Sequence, residues 1–463
     1  MALGKQSPDL LEIFVRTLAP FSAALDGNAE SSNAYIKYFV PWCQQNTLLT
    51  HIATYTAACF LSETGQLDRQ VTMEHKSQAI NMLNETLWTD FSSNDGTVAA
   101  HTQLILNEWY WGGGTDLGAH VRGLREMVRL RGGFRNLGLH GLIAKMAITA
   151  DLSIALSYEA TPVLQSGRQI EPLENTKVPL RLALNTPLVS TLPRFADCAQ
   201  ALKLDPATAA VLDDMRFLIS AVLALPDDPS QKELQKINTT SAWLHNRTSA
   251  LPEFSPRRPH PAARSSTAPS IIVTDIEADF GPASEPSSIS ARRGSWHSVQ
   301  STHSTHSAAS SDQAYSDQSA DDRLPHHHPL QPSQMSTSSS SSPDPPDYLY
   351  QSVRLAAILY SRAIMQRQPF SSVVEQADFL LLWSTMWRVP LTAWKGVLGV
   401  FNWIIAALAP VAARDSQRHG RFVKSMLANS LLQIGIDNWE LARGVIEASG
   451  RLQGWLGGRG GTE

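Results

Sequence analysis

Residues Asp116 to Leu156 read D-L-G-A-H-V-R-G-L-R-E-M-V-R-L-R-G-G-F-R-N-L-G-L-H-G-L-I-A-K-M-A-I-T-A-D-L-S-I-A-L, and their spacing decides the fold class. Leu117, Val121, Leu124 and Val128 recur at steps of four, three and four, which places them on one face of a helix. Arg122, Arg125 and Arg129 line another face. They are candidate contacts for a partner's acidic groups, although Glu126 among them also suits a plain solvated face. Gly132-Gly133 follow the last turn, where a left-handed residue stops a helix. A second helix is expected after Leu137, carrying Leu142, Met146, Thr149 and Ile154 on one side. The two form an expected helical hairpin closed by a Gly-Gly-Phe corner.

The same periodicity extends outward. Leu48 to Phe60 is apolar on most sides, as in a helix buried between others. Ile80, Leu83 and Leu87 mark a one-sided stripe, and Val98 to Tyr110 follows the Asn94-Asp95-Gly96 turn. Five prolines and glycines between Pro162 and Pro187 predict a long irregular connection. Helices resume over Arg194–Leu202 and, after Pro206, over Ala207–Leu225. From 252 to 346 Ser, Thr, Pro and His dominate. So few apolar residues do not offset the roughly 1–2 kcal/mol per residue of backbone ordering, so a disordered insert is expected there. No alternation of strand type persists. The chain reads as an all-α, multi-helix domain in two parts, 1–251 and 347–457, with the insert at 252–346 and a flexible tail at 458–463.

Composition narrows the function. The 463 residues are 43% hydrophobic and 17% charged, with 38 basic against 42 acidic side chains. That balance offers no basic surface for nucleic acid. Cys43, Cys59 and Cys198 are isolated, which fits buried thiols in a reducing compartment. Gly396 to Ala413 is uncharged and near the lower length for a membrane span. Asn402 and Pro410 interrupt it, so a buried core helix is the expectation.

The run H-V-R-G-L-R-E-M-V-R-L-R-G-G at 120–133, with A-D-L-S-I-A-L at 150–156, resembles the fungal-specific transcription factor domain. This is the helical regulatory region found downstream of binuclear zinc clusters. Tyr38 to Pro41, Asn46 to Leu61, Ala79 to Leu87, Trp383 to Leu391, Arg421 to Trp439 and Leu452 to Leu456 are similar to its other helices. The resemblance implies a regulator in the nucleus, with nutrient or secondary-metabolite genes as targets. It also implies six zinc-binding cysteines upstream, which three scattered cysteines do not supply. The expectation is a regulator without its own DNA-binding head, or a truncated gene model. It would act through a protein partner carrying a DNA-binding domain or through a small-molecule effector, without direct sequence-specific DNA binding. A helical interaction scaffold, or a small-molecule-binding protein without a transcriptional role, is the alternative.

Other motifs add little chemistry. Ser295 follows Arg292-Arg293-Gly294 and is a candidate phosphosite. His303, His306 and His326 to His328 lack the fixed geometry of a metal site, so no metal and no cofactor is expected. Gly112-Gly113-Gly114 lacks the Lys-Ser/Thr of a phosphate loop, and neither a G-x-S-x-G elbow nor an H-E-x-x-H pair occurs. The chain is expected not to be an enzyme. Trp109, Trp111, Trp383, Trp387, Trp394 and Trp403 fit either core positions or the walls of a ligand pocket.

Overall fold

Short polar side chains set where many of the helices begin. Asn46, Asn94, Asp205, Ser230, Asp347 and Asn438 each accept a hydrogen bond from a backbone N–H of the following first turn. Ser230 and Glu233 complete a reciprocal capping box. The computed structural model describes residues 7–89, 94–112, 117–164, 173, 178–253, 347–414 and 418–458, and among these there is no strand. Most of the segment expected to be a disordered insert, with Ser295 and the histidines at 303, 306 and 326–328, lies outside the described residues.

The first layer comprises α1 (Ser7–Ile13), α2 (Ala19–Ala23), α3 (Val40–Gln45), α4 (Thr47–Glu63), α5 (Arg69–Thr89), α6 (Asp95–Trp111), α7 (Leu117–Leu130) and α8 (Leu142–Tyr158). Two π-helical turns, Phe14–Leu18 and Tyr35–Phe39, run into α2 and α3. After them come α9 (Phe195–Leu202), α10 (Pro206–Leu223) and α11 (Gln231–Ser249). The last group is α12 (Tyr348–Gln366), α13 (Phe370–Val373), α14 (Gln376–Trp387), α15 (Leu391–Lys395), α16 (Leu398–Arg414), α17 (Arg418–Asp437) and α18 (Trp439–Leu456).

Helix α7 follows its sequence pattern. Leu117, Val121, Leu124, Met127 and Val128 are buried, while Arg122, Arg125 and Arg129 are exposed. Gly133 donates to the carbonyl of Val128 and Gly132 to that of Arg129, both glycines at positive φ, so the helix ends in a Schellman motif. The expected hairpin does not form. α7 and α8 each pack on α6 and scarcely meet. The corner between them is too long for a hairpin: it holds a 3-10 turn at Phe134–Asn136 and three left-handed residues, Leu139, His140 and Gly141. The one-sided reading of α8 also fails. Every residue from Leu142 to Ser157 is buried, because α6, α16, α17 and α18 surround it.

Helix α16 is the centre of the second core, buried from Leu398 to Ala412. No helix of the described residues is long and apolar enough to cross a membrane. The irregular stretch before α9 reaches this core through a close approach. A Cβ on Gly399 would stand 2.3 Å from the carbonyl oxygen of Leu184, so only glycine fits there. Arg216, buried, donates to the carbonyls of Leu192, Pro193 and Thr186 and to Asn185 Oδ1, which holds that stretch in place.

Candidate functional site

Helices α4, α6, α8 and α17 do not close completely on one another. Between them, and beneath the Phe14–Leu18 turn, lies a cavity of about 290 Å³. Three walls are single helical stripes. α6 contributes Gln103, Leu106 and Tyr110, at steps of three and four. α4 contributes Thr56, Phe60 and Glu63, at four and three. α17 contributes Arg421, Ser425, Ala428 and Leu432, at four, three and four. Small side chains at Thr56, Thr149, Ala150, Ser425 and Ala428 leave the space open.

Both π turns serve this cavity. Ala19 N–H donates to the carbonyl of Phe14, and Val40 N–H to that of Tyr35, one residue further than in an α-helix. The widened turns place Phe14, Thr17 and Leu18 on one side of the cavity and Tyr35 on another. Such bulges recur where helices carry function.

At the mouth stand three exposed aromatic rings, Phe21 (39% exposed), Trp387 (43%) and Phe422 (40%). Trp387 and Phe422 meet edge to face at 6.4 Å. Phe21 lies against Gly27, whose φ of +73° excludes an ordinary side chain. Inside, Gln103 is only 8% exposed and Tyr110 only 9%. Neither side chain forms a hydrogen bond with a described residue. Burial holds the hydroxyls of Tyr35 and Tyr110 well above the usual phenol range, with Cys43 the next contributor at Tyr35, so both stay protonated. Glu63 and Arg421 are the charged residues of the wall, and they pair with each other.

The tryptophans divide between core and cavity. Trp111 and Trp387 reach the cavity, while Trp109, Trp394 and Trp403 are core residues. The arginines of α7 lie elsewhere, and Arg129 forms a bidentate pair with Glu126. The thiols of Cys43 and Cys59 are pushed up to about 12 by burial, which makes them poor nucleophiles and poor metal ligands. The imidazole of His101 is pushed down to about 4, first by burial and then by His120. Among the described residues no cluster of three or more His, Cys, Asp or Glu is placed to hold a metal. Sequence periodicity left the cavity unseen. Its legible trace was Trp111 and Trp387, two of the tryptophans that fit the walls of a ligand pocket, while Gln103 and Tyr110 on α6 gave no such signal.

Residues 9–164 match the family described as the fungal specific transcription factor domain. Comparison with curated proteins and with solved structures gave no match. The matched segment provides every wall of the cavity except those from α14, α15 and α17. The family is one of transcription factors, not of enzymes. Residues 9–164, which supply the cavity-lining residues of α4, α6 and α8, therefore match the fungal specific transcription factor domain over about a third of the chain.

Proposed function

We propose that this chain is a nuclear regulator of transcription that reaches promoters through a protein partner carrying a DNA-binding domain, and that a small-molecule effector in the cavity adjusts that partnership. The match of residues 9–164 to a family of transcription factors supports regulation of transcription. The observation that supports the finer reading is the shared wall. The cavity is bounded by the matched domain on one side and by α17, more than 250 residues further along, on the other. A molecule touching α4, α6 and α17 together binds best when they keep this spacing, so it biases the fold toward that arrangement. The near-balance of 38 basic and 42 acidic residues supports recruitment by a partner in place of direct contact with phosphates. The exposed Arg122 and Arg125 are the proposed partner contacts on α7. Nutrient-use or secondary-metabolite genes are the proposed targets, on the family resemblance.

Deleting the gene and comparing transcripts tests this reading, together with the location of a tagged chain and a gel-shift of the purified protein. The expected result is nuclear enrichment, a coherent set of altered transcripts that also depends on a DNA-binding partner, and no sequence-selective shift by the chain alone. Unchanged transcripts with the tagged chain outside the nucleus would favour a scaffold instead. Salt-sensitive, sequence-selective binding without a partner would remove the partner from the scheme.

A further inference from the structure

From the shape and chemistry of this cavity we infer that its occupant is a neutral, fused bicyclic aromatic molecule whose single hydroxyl or carbonyl is read by Gln103. The inference rests on the effector reading and gives it a ligand class.

Size comes first. A dry cavity of about 150 Å³ holds benzene, and this one is about 290 Å³, near the lower end of the ~300–1,000 Å³ of ordinary ligand sites. Two fused rings fit, and a large multi-ring ligand does not. Charge comes second. Glu63 and Arg421 neutralise each other, so among the described residues the wall has no spare charge to meet an ionised ligand. An unpaired carboxylate in such a site loses its hydration without replacement. Shape comes third. Phe14, Phe60, Trp111 and Tyr110 offer ring faces and edges inside, while Phe21, Trp387 and Phe422 stand at the mouth.

Gln103 then supplies selectivity. Its amide carries both a donor and an acceptor, is more than nine-tenths buried, and has no protein partner among the described residues. Buried polar groups are almost always hydrogen-bonded, so one left open toward a cavity is satisfied by what enters it. Tyr110, two helical turns along the same face, adds a second open hydroxyl.

Three probes of one shape separate these points on the purified full chain: 2-naphthol, naphthalene and 2-naphthoate, followed by titration calorimetry and thermal melting. 2-Naphthol is expected to bind one to one and raise Tm. Naphthalene, which lacks the polar group, is expected to bind about tenfold more weakly, and 2-naphthoate not measurably. Gln103→Leu keeps the wall's bulk and should bring 2-naphthol and naphthalene to equal affinity. Ser425→Phe, at a half-buried wall position, should abolish binding of both. If either variant fails to fold, the wild-type ranking of the three probes decides by itself. Absence of 2-naphthol binding, or a preference for 2-naphthoate, would overturn the inference. Transcript changes on gene deletion are independent of all three probes, so the ligand class can fail while the regulatory reading stands.

Discussion

Two cores in this molecule are made of the same kind of helix and packed to different ends. Around α16 the space is filled. Trp403 stacks on Tyr360 at 4.8 Å and accepts the Tyr360 hydroxyl at its carbonyl oxygen, and Trp394 packs on Phe401. Asn402 on α16 donates to Ser430 on α17, which satisfies a polar pair in the middle of the apolar layer. Between α4, α6 and α17 threonine, serine and alanine stand among the buried rings of Phe14, Tyr35 and Tyr110, so a hollow of about 290 Å³ remains. Native interiors ordinarily pack like molecular crystals. The solid core holds the molecule together, and the hollow one has the form of a binding site. Helix α8 touches both, since it packs on α6 as well as on α16 and α17.

The severest way to break this comparison is to remove the second core altogether. A chain ending at Pro252 lacks α16 and α17, which leaves α8 with a bare apolar side and the cavity with one wall missing. It is expected to be poorly soluble and to lose cooperative thermal unfolding. A monomeric fragment with a sharp transition would show that the hollow core stands by itself. Next comes a pair of aromatic truncations. Trp403→Ala, in the filled core, should cost ~3–5 kcal/mol in urea unfolding. Phe422→Ala, at the cavity mouth, should cost less than about 1.5 kcal/mol. Equal losses would erase the distinction between the two cores.

Asp151 on α8 sharpens the comparison through pH. Its carboxylate accepts from the backbone N–H groups of Val163 and Leu164, where the matched segment ends. Burial outweighs these donors and pushes its carboxyl up to about 6. An unfolded aspartate titrates near ~4, so between that value and about 6 the folded state holds the extra proton. The stabilisation is therefore complete below about pH 4 and lost as pH rises through about 6, with a total effect of up to roughly 3 kcal/mol. Asp151→Asn should flatten the fall in urea midpoint between pH 4 and 7. An unchanged slope would assign that fall to other groups. The smallest effect is expected at the solvated face of α7, where Arg125→Ala should change stability by less than about 0.5 kcal/mol. A larger loss would mark Arg125 as part of a buried contact.

Much of the architecture was legible in advance. The residues that begin and end α4, α6, α7 and α10 are short polar caps, prolines and glycines with strong local preferences, and α7 shows its buried stripe in the sequence. α11 was harder to see, since only Ile237, Ser241, Leu244 and Thr248 are buried along its 19 residues and two of those are polar. The expected disordered segment at 252–346 remains an expectation from composition.

The sequence by itself determined the all-α class and most helix boundaries, because these depend on spacing, caps and turns within a few residues of each other. Tertiary structure alone decided that α7 and α8 turn to α6 in place of each other, that α8 is buried on every side, and that Gln103 opens into a cavity. Periodicity tells which face of a helix seeks cover, but not which neighbour supplies it or how completely. That depends on pairs such as Glu63 and Arg421, which are 358 positions apart and meet only when the whole chain has folded.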